Sequence, residues 1–231
     1  MDVFAVVSRD TVRWGNGYMS STTVLDNFRQ QLENRFWNTD VYRNGPAIVV
    51  EFSDCKGDVV PSVFAEFATE HKWPVYWIPD GAGGWMKTAP GLHNAYIKNE
   101  DDACGGKLKR TAQILKFWRE CRSPRIPVSS FHIEMVLAAL GICKGVKSYA
   151  DCITEVLQNL AARECRAMQD PFCICGNIAA LKTENQRDNA LASIKYSRDH
   201  AKVALSADRN GNVSEALRQW DIVFNGEFPY A

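Results

Sequence analysis

This chain lacks three things, and each absence removes a class of function. No stretch approaches the ~20 consecutive apolar residues that a bilayer helix needs, and the first residues hold neither a basic segment nor a small-residue cleavage site. The expectation is a cytoplasmic protein with no membrane partner. Net charge is missing as well: Lys plus Arg and Asp plus Glu each number 27, so no global field draws nucleic acid onto the surface regardless of sequence. Strong general nucleic-acid binding is therefore not expected, and any anion site must be local. The eight cysteines (Cys55, Cys104, Cys121, Cys143, Cys152, Cys165, Cys173 and Cys175) lack the repeated C-x-x-C spacing of a zinc ribbon. The chain is also too long to need disulfide staples, which points to reduced thiols. Cys165, Cys173 and Cys175 do crowd one region, and with Cys152 or His200 they form a candidate tetrahedral thiolate site.

What is present is enough for a substantial core: 46% of 231 residues are hydrophobic, which suits one two-lobed unit or two closely packed small domains. The first half reads as strands broken by turns. Val3 to Val7 is a β-rich run, and Ala47 to Phe52 follows a Gly45-Pro46 breaker. The polar turn Ser53 to Gly57 then leads to Asp58-Val59-Val60, a strand expected to end at Pro61, so that the two runs suggest an antiparallel hairpin. Between these strands, Val24, Leu25, Phe28, Leu32 and Phe36 recur with a helical period.

From about Gly105 the period changes to three or four. Leu108, Ala112, Leu115 and Trp118 share one face of a helix, while Lys109, Gln113 and Lys116 form a polar stripe. A second helix is expected to start at Ser129-Ser130 and run to Gly141, with later ones at Ile153 to Met168, Ala190 to Leu205 and Val213 to Phe224. The expected class is α+β, a mixed sheet lobe over residues 1–104 followed by a helical lobe over 105–231. Trp77, Trp85 and Trp118 have too few neighbouring cations for a single-strand nucleic-acid stripe, with only Lys72 and Lys87 near the first two. Core packing between the lobes is the expected role of these tryptophans.

Asp2 sits immediately before a hydrophobic strand and Asp58 opens another. Carboxylates at the ends of neighbouring strands suit Mg²⁺ in nucleotidyl transfer, where one metal lowers the pKa of the attacking hydroxyl and a second stabilises the leaving pyrophosphate. By spacing alone, an Asp at a strand end is more often a turn or cap residue.

The surrounding words carry a resemblance. Lys56-Gly57-Asp58-Val59-Val60-Pro61-Ser62, Tyr76 to Gly81, Gly84 to Asn94, Gly105 to Trp118, Ser129 to Glu134, and Ala216 to Pro229 with its Trp220 and Phe228-Pro229 follow one another along nearly the whole chain. In that order they resemble the cGAS/DncV-like nucleotidyltransferases. The resemblance implies a nucleotidyltransferase-type sheet lobe and an oligoadenylate synthetase-like helical lobe that completes a nucleotide cleft. It also implies Asp2 and Asp58 as catalytic and metal ligands for two Mg²⁺. In the family, Asp2 matches the second residue of an Asp-x-Asp pair that follows a Gly-Ser turn. The first Asp would stand just before Met1, so an N-terminally truncated site is the expectation here.

Carried over by position, Lys116 would contact the donor triphosphate, with Ser130 donating to a phosphate and Lys109 as a further candidate, while Tyr149 would stack on a base. A solvated Lys stripe and an ordinary Ser cap are the alternatives. His93 and His132 read as structural hydrogen-bonders, since metal-assisted transfer needs no His. The implied function is condensation of ATP, GTP or other nucleoside triphosphates into a cyclic oligonucleotide signal of anti-phage defence, with regulatory protein partners from a defence operon. A catalytically silent nucleotide- or partner-binding relative and a linear-product enzyme of the oligoadenylate synthetase type are the alternatives.

Overall fold

The computed structural model describes residues 2–68, 72–181 and 183–229 of the chain, without the side chains of Asp2 and Trp14. Two units divide it, Met1–His93 and Asn94–Ala231.

The first unit is built on a six-stranded sheet. Strand β1 (Asp2–Val7) leads through a 3-10 turn at Arg9–Val12 to a small hairpin, β2 (Arg13–Trp14) and β3 (Gly17–Tyr18), and then to helix α1 (Ser21–Arg35). The rest of the unit is β4 (Asp40–Asn44), β5 (Ala47–Glu51), β6 (Lys56–Ala68), β7 (Trp73–Pro79) and β8 (Trp85–Thr88). Strands β4 to β8 are neighbours in chain order, and β1 runs parallel to β6. Four consecutive residues of β5, Ala47 to Val50, are buried, as expected where both faces of a strand are covered. One sheet face packs Val63 with Val12 and Val24, and the other packs Val60 with Ala47 and Ile78.

The hairpin expected between β5 and β6 is there, with Glu51 opposite Lys56 and Ile48 opposite Val59. Pro61 does not end the second strand, which runs 13 residues to Ala68. The reason lies in the ladders. Pro61 lies opposite Ala5 of β1, and on the other edge of β6 it falls between the residues paired to β5 (56 to 59) and those paired to β7 (from Val63 onward), so an N–H directed to that edge is not needed.

The division between units falls within α2 (Pro90–Ala103). The second unit continues with α3 (Lys107–Glu120), α4 (Ser130–Ala139), α5 (Tyr149–Ala162), a short hairpin of β9 (Met168–Gln169) and β10 (Asn177–Ile178), α6 (Arg187–Arg209) and α7 (Val213–Val223). Leu108, Ala112, Leu115 and Trp118 are all buried in one continuous core that also takes Ile133, Leu137, Val156, Leu157, Ile194 and Val223. Trp118 is fully buried and donates from Nε1 to Ser197 Oγ at 3.0 Å. Trp77 departs from the expected core role, since it is 37% exposed.

Helix α4 stops as its Gly141 implies: Gly141 and Ile142 donate to the carbonyls of Ala138 and Leu137, closing a Schellman motif. The same motif ends α5 six residues before the expected Met168, with Glu164 and Cys165 donating to Ala161 and Leu160. Glu164 takes the left-handed φ of 51° there. A Glu in the position usually held by Gly gives no stop signal in the sequence.

Candidate active site

Strand pairing positions the candidate residues of the sheet unit. In the parallel ladder of β1 and β6, Asp2 lies opposite Asp58, which puts the two residues on adjacent strands ~4.8 Å apart in the pairing direction. Asp58 lies inside the strand, two residues after its start, and not in the polar turn. It is half-buried, and its carboxylate has no hydrogen bond or ion pair among the described residues. Its neighbours do not neutralise it either, because Lys56 is engaged with Glu51 at 2.5 Å. That hydrogen bond holds the Lys56 ammonium above and the Glu51 carboxyl below their ordinary values. A carboxylate kept half out of water without a partner is suited to a hard cation, and Asp2 is the residue register brings beside it.

The candidate residues of the helical unit lie along α3. Gly106 caps this helix in the left-handed conformation (φ 79°) and offers no side-chain acceptor. Asp101, buried near the end of α2, supplies it by accepting from the Lys109 backbone N–H at 2.9 Å. The polar stripe then lines a pocket of about 250 Å³ formed by Lys109, Gln113 and Lys116 with Asn94, Ile97 and Glu134. Lys109 is exposed, whereas Lys116 forms an ion pair with Glu134.

Ser130 and Tyr149 do not line this pocket. Ser130 is the first residue of α4, behind the Ser129 cap, and its Oγ accepts from Arg119 Nη1 at 2.9 Å. Arg119 is buried and also donates to the Val128 carbonyl, and burial lowers its pKa from the ordinary value. Tyr149 opens α5 with its side chain 37% exposed.

Sequence reasoning missed Glu134, Arg119 and Asp101. Glu134 carried a signal, as the one acidic residue of the largely apolar α4. Arg119 and Asp101 carried none, since nothing local distinguishes a buried ion from a solvated one.

The candidate thiolate site is not formed: among the described residues no three of Cys152, Cys165, Cys173, Cys175 and His200 bring ligand atoms within 4.8 Å of one another. Cys152 and Cys165 are buried core thiols, raised by desolvation to about 12 and about 11. Cys175 donates to Asp170 at 3.3 Å, Cys173 is exposed, and His200 bonds Gln219 at 2.5 Å. His132 is buried with Nδ1 3.0 Å from the Ile178 carbonyl, a structural contact.

No protein-family model matches the chain. In sequence it is 23% identical over 232 residues to a Bacillus cereus (strain VD146) protein named "Probable cyclic nucleotide synthase", across 93% of this chain and 65% of that protein. The chain thus spans just under two thirds of that relative's length. Among solved structures it is similar to CdnC of E. coli MS115-1 with ATP, at a TM-score of 0.72 and 20% identity, over 99% of this chain and 78% of that one. CdnC in complex with HORMA-deltaN matches at 0.70 and 20% identity, over 99% and 77%. The Vibrio cholerae DncV cyclic AMP-GMP synthase with a linear intermediate matches at 0.63 and 12% identity, over 89% and 58%. No helix among the described residues is long and apolar enough to cross a membrane.

Proposed function

The chain has the fold of the cGAS/DncV-like nucleotidyltransferases, and on that premise we propose that it carries catalytic machinery for condensing nucleoside triphosphates into a cyclic oligonucleotide. The observation that carries this reading is the register of Asp2 against Asp58 together with the unpartnered, half-buried state of the Asp58 carboxylate. Asp2 and Asp58 would hold Mg²⁺, which in such chemistry activates the attacking ribose hydroxyl and stabilises the departing pyrophosphate.

The chain's other residues would bind and orient. Lys109 and Lys116 would take triphosphate oxygens, with Glu134 releasing Lys116 as the anion arrives. Ser130 accepts from Arg119 through its oxygen, which leaves its own hydroxyl hydrogen for a phosphate. Tyr149, exposed at the start of α5, would stack on a base. A cyclic product requires two rounds of attack, so the site would hold two nucleotides at once. The solved CdnC–HORMA-deltaN complex supports a regulatory protein partner for this chain, and signalling in anti-phage defence is the role we assign to it.

The test incubates the protein with labelled nucleoside triphosphates and Mg²⁺, followed by phosphatase treatment and chromatography. A phosphatase-resistant cyclic product would support this reading. Asp58→Asn should lower its rate about 10²–10³-fold or more, by analogy with other preorganised charge-stabilising groups. Bound ATP with no product from the wild type would instead make this a silent nucleotide-binding protein. A phosphatase-sensitive linear product would make it an oligoadenylate synthetase-type enzyme.

A further inference from the structure

The sheet unit holds a second concave feature that the proposed chemistry does not use. Arg9, Val12, Tyr18, Val63, Trp77 and Trp85 line a pocket of about 290 Å³. It lies on the other face of the sheet from Asp58. Side chains alternate along β6, so Asp58 and Val60 share one face and Val63 takes the opposite one, and Val60 and Val63 accordingly belong to different cores. Trp77 pairs in register with Val63 and so stands on that same face.

The walls are held in place. Trp85 donates from its indole Nε1 to the Met19 carbonyl at 3.1 Å. Lys87, tied to Glu66 at 2.5 Å, sits 5.3 Å from the centre of the Trp77 ring. The third aromatic, Tyr18, comes from the β2–β3 hairpin and is 58% exposed. Arg9 is fixed by an irregularity in the sheet. The register of β6 shifts between Phe64 and Glu66, and Arg9 donates from Nε and Nη2 to Phe64 O, and from Nη2 to Ala65 O at 2.8 Å. Nη1 has no acceptor among the described residues.

We propose that this pocket binds a small planar aromatic anion, its ring between the indoles and Tyr18 and its acidic group on Arg9. Three aromatic rings around one volume favour a flat ring that can stack or meet an edge. Among the described residues Arg9 is the only permanently charged group in the lining, and a guanidinium already fixed on two carbonyls gives up little freedom when it takes a carboxylate. The size sets an upper limit. The pocket is at the small end of the ~300–1,000 Å³ range for ligand sites, which suits one ring system and not a nucleoside triphosphate. This site is independent of the carboxylate pair, so the failure of either proposal leaves the other standing.

The probes are 2-naphthoate, indole-3-acetate and the uncharged 2-naphthalenemethanol, titrated calorimetrically into the purified protein, with circular dichroism melting to verify each variant's fold. Both carboxylates are expected to bind, 2-naphthoate about tenfold tighter than the alcohol, and Tyr18→Ala should weaken naphthoate and alcohol alike by about 3–10-fold. Arg9→Gln should erase the preference for the acid and leave the alcohol within about twofold. If Arg9→Gln unfolds the protein, the acid-to-alcohol ratio of the wild type and the Tyr18→Ala loss still decide the matter. ATP with Mg²⁺ should not displace the probe. The proposal is overturned by absence of wild-type binding at millimolar probe, by equal binding of acid and alcohol, by indifference to Tyr18→Ala, or by displacement with ATP.

Discussion

In the sheet unit, Asp58 is half-buried and has no hydrogen bond or ion pair among the described residues. In the helical unit, Lys116 is held by Glu134 and Ser130 accepts from Arg119. The Asp58 carboxylate is therefore left to a cation from outside, whereas Lys116 and Ser130 are compensated within their own unit. The packing differs in the same direction. Among the described residues the helical unit has one continuous core from Ile97 to Phe224, whereas the sheet unit shows two small clusters, built on Val12, Val24 and Val63 and on Ala47, Val60 and Ile78. A sheet with thin cores can leave a carboxylate without a partner because its fold does not rest on that residue, while in the deep core the buried Arg119 guanidinium is offset by the Val128 carbonyl, Ser130 and Glu120.

The difference in packing predicts the largest effect. Trp118→Ala removes a fully buried indole and its bond to Ser197, and is expected to cost ~3–5 kcal/mol in urea unfolding. Val63→Ala, in a small core of the sheet unit, should cost roughly 2 kcal/mol for the two methyl groups and the space they leave. Equal losses would erase the distinction between deep and thin cores.

A smaller effect tests the internal compensation. Glu134→Gln removes the carboxylate that holds Lys116, so ATP binding in Mg²⁺ should tighten by about 3–5-fold, the scale of one partly exposed ion pair. Lys116→Met should weaken it. Unchanged affinity in both variants would remove Lys116 from the triphosphate and return the stripe to a solvated helix face.

The smallest effect is a pH dependence confined to the helical unit. Burial holds His132 below its ordinary 6.5, outweighing the Ile178 carbonyl that acts the other way, and Arg163 lowers it further. The unfolded chain therefore takes up a proton near pH 6.5 while the native one stays neutral. His132's contribution is intact above that pH and is lost as pH falls from about 6.5 toward the depressed native value. Thermal melts of His132→Gln across this window should show a shallower acid-side fall than the wild type. An identical slope would mean that another group sets it.

Much of the fold was legible because its signals are local. The buried face of α3, the strands around Ala47 and Val3, the Ser129 start of α4 and its Gly141 stop all follow from residues within a few positions of one another. The α5 stop was illegible because Glu164 occupies a position usually marked by Gly, and the strand was expected to break at Pro61 because only the ladders reveal that its N–H is not needed.

By itself, the sequence determined the α+β layout, the placement of Asp58 on a strand and the Lys109-Gln113-Lys116 stripe, since each depends on spacing along one element. The tertiary structure alone decided that Asp2 lies opposite Asp58, that Glu134 takes Lys116 from 18 residues away, that Asp101 caps a helix with no cap of its own, and that Arg9 reaches the irregular stretch of β6 across 55 residues. Such pairings depend on which strand and which helix turn arrive side by side once the loops between them close. That outcome is fixed by the packing of the apolar faces of the whole unit, not by the few residues on either side of a charge.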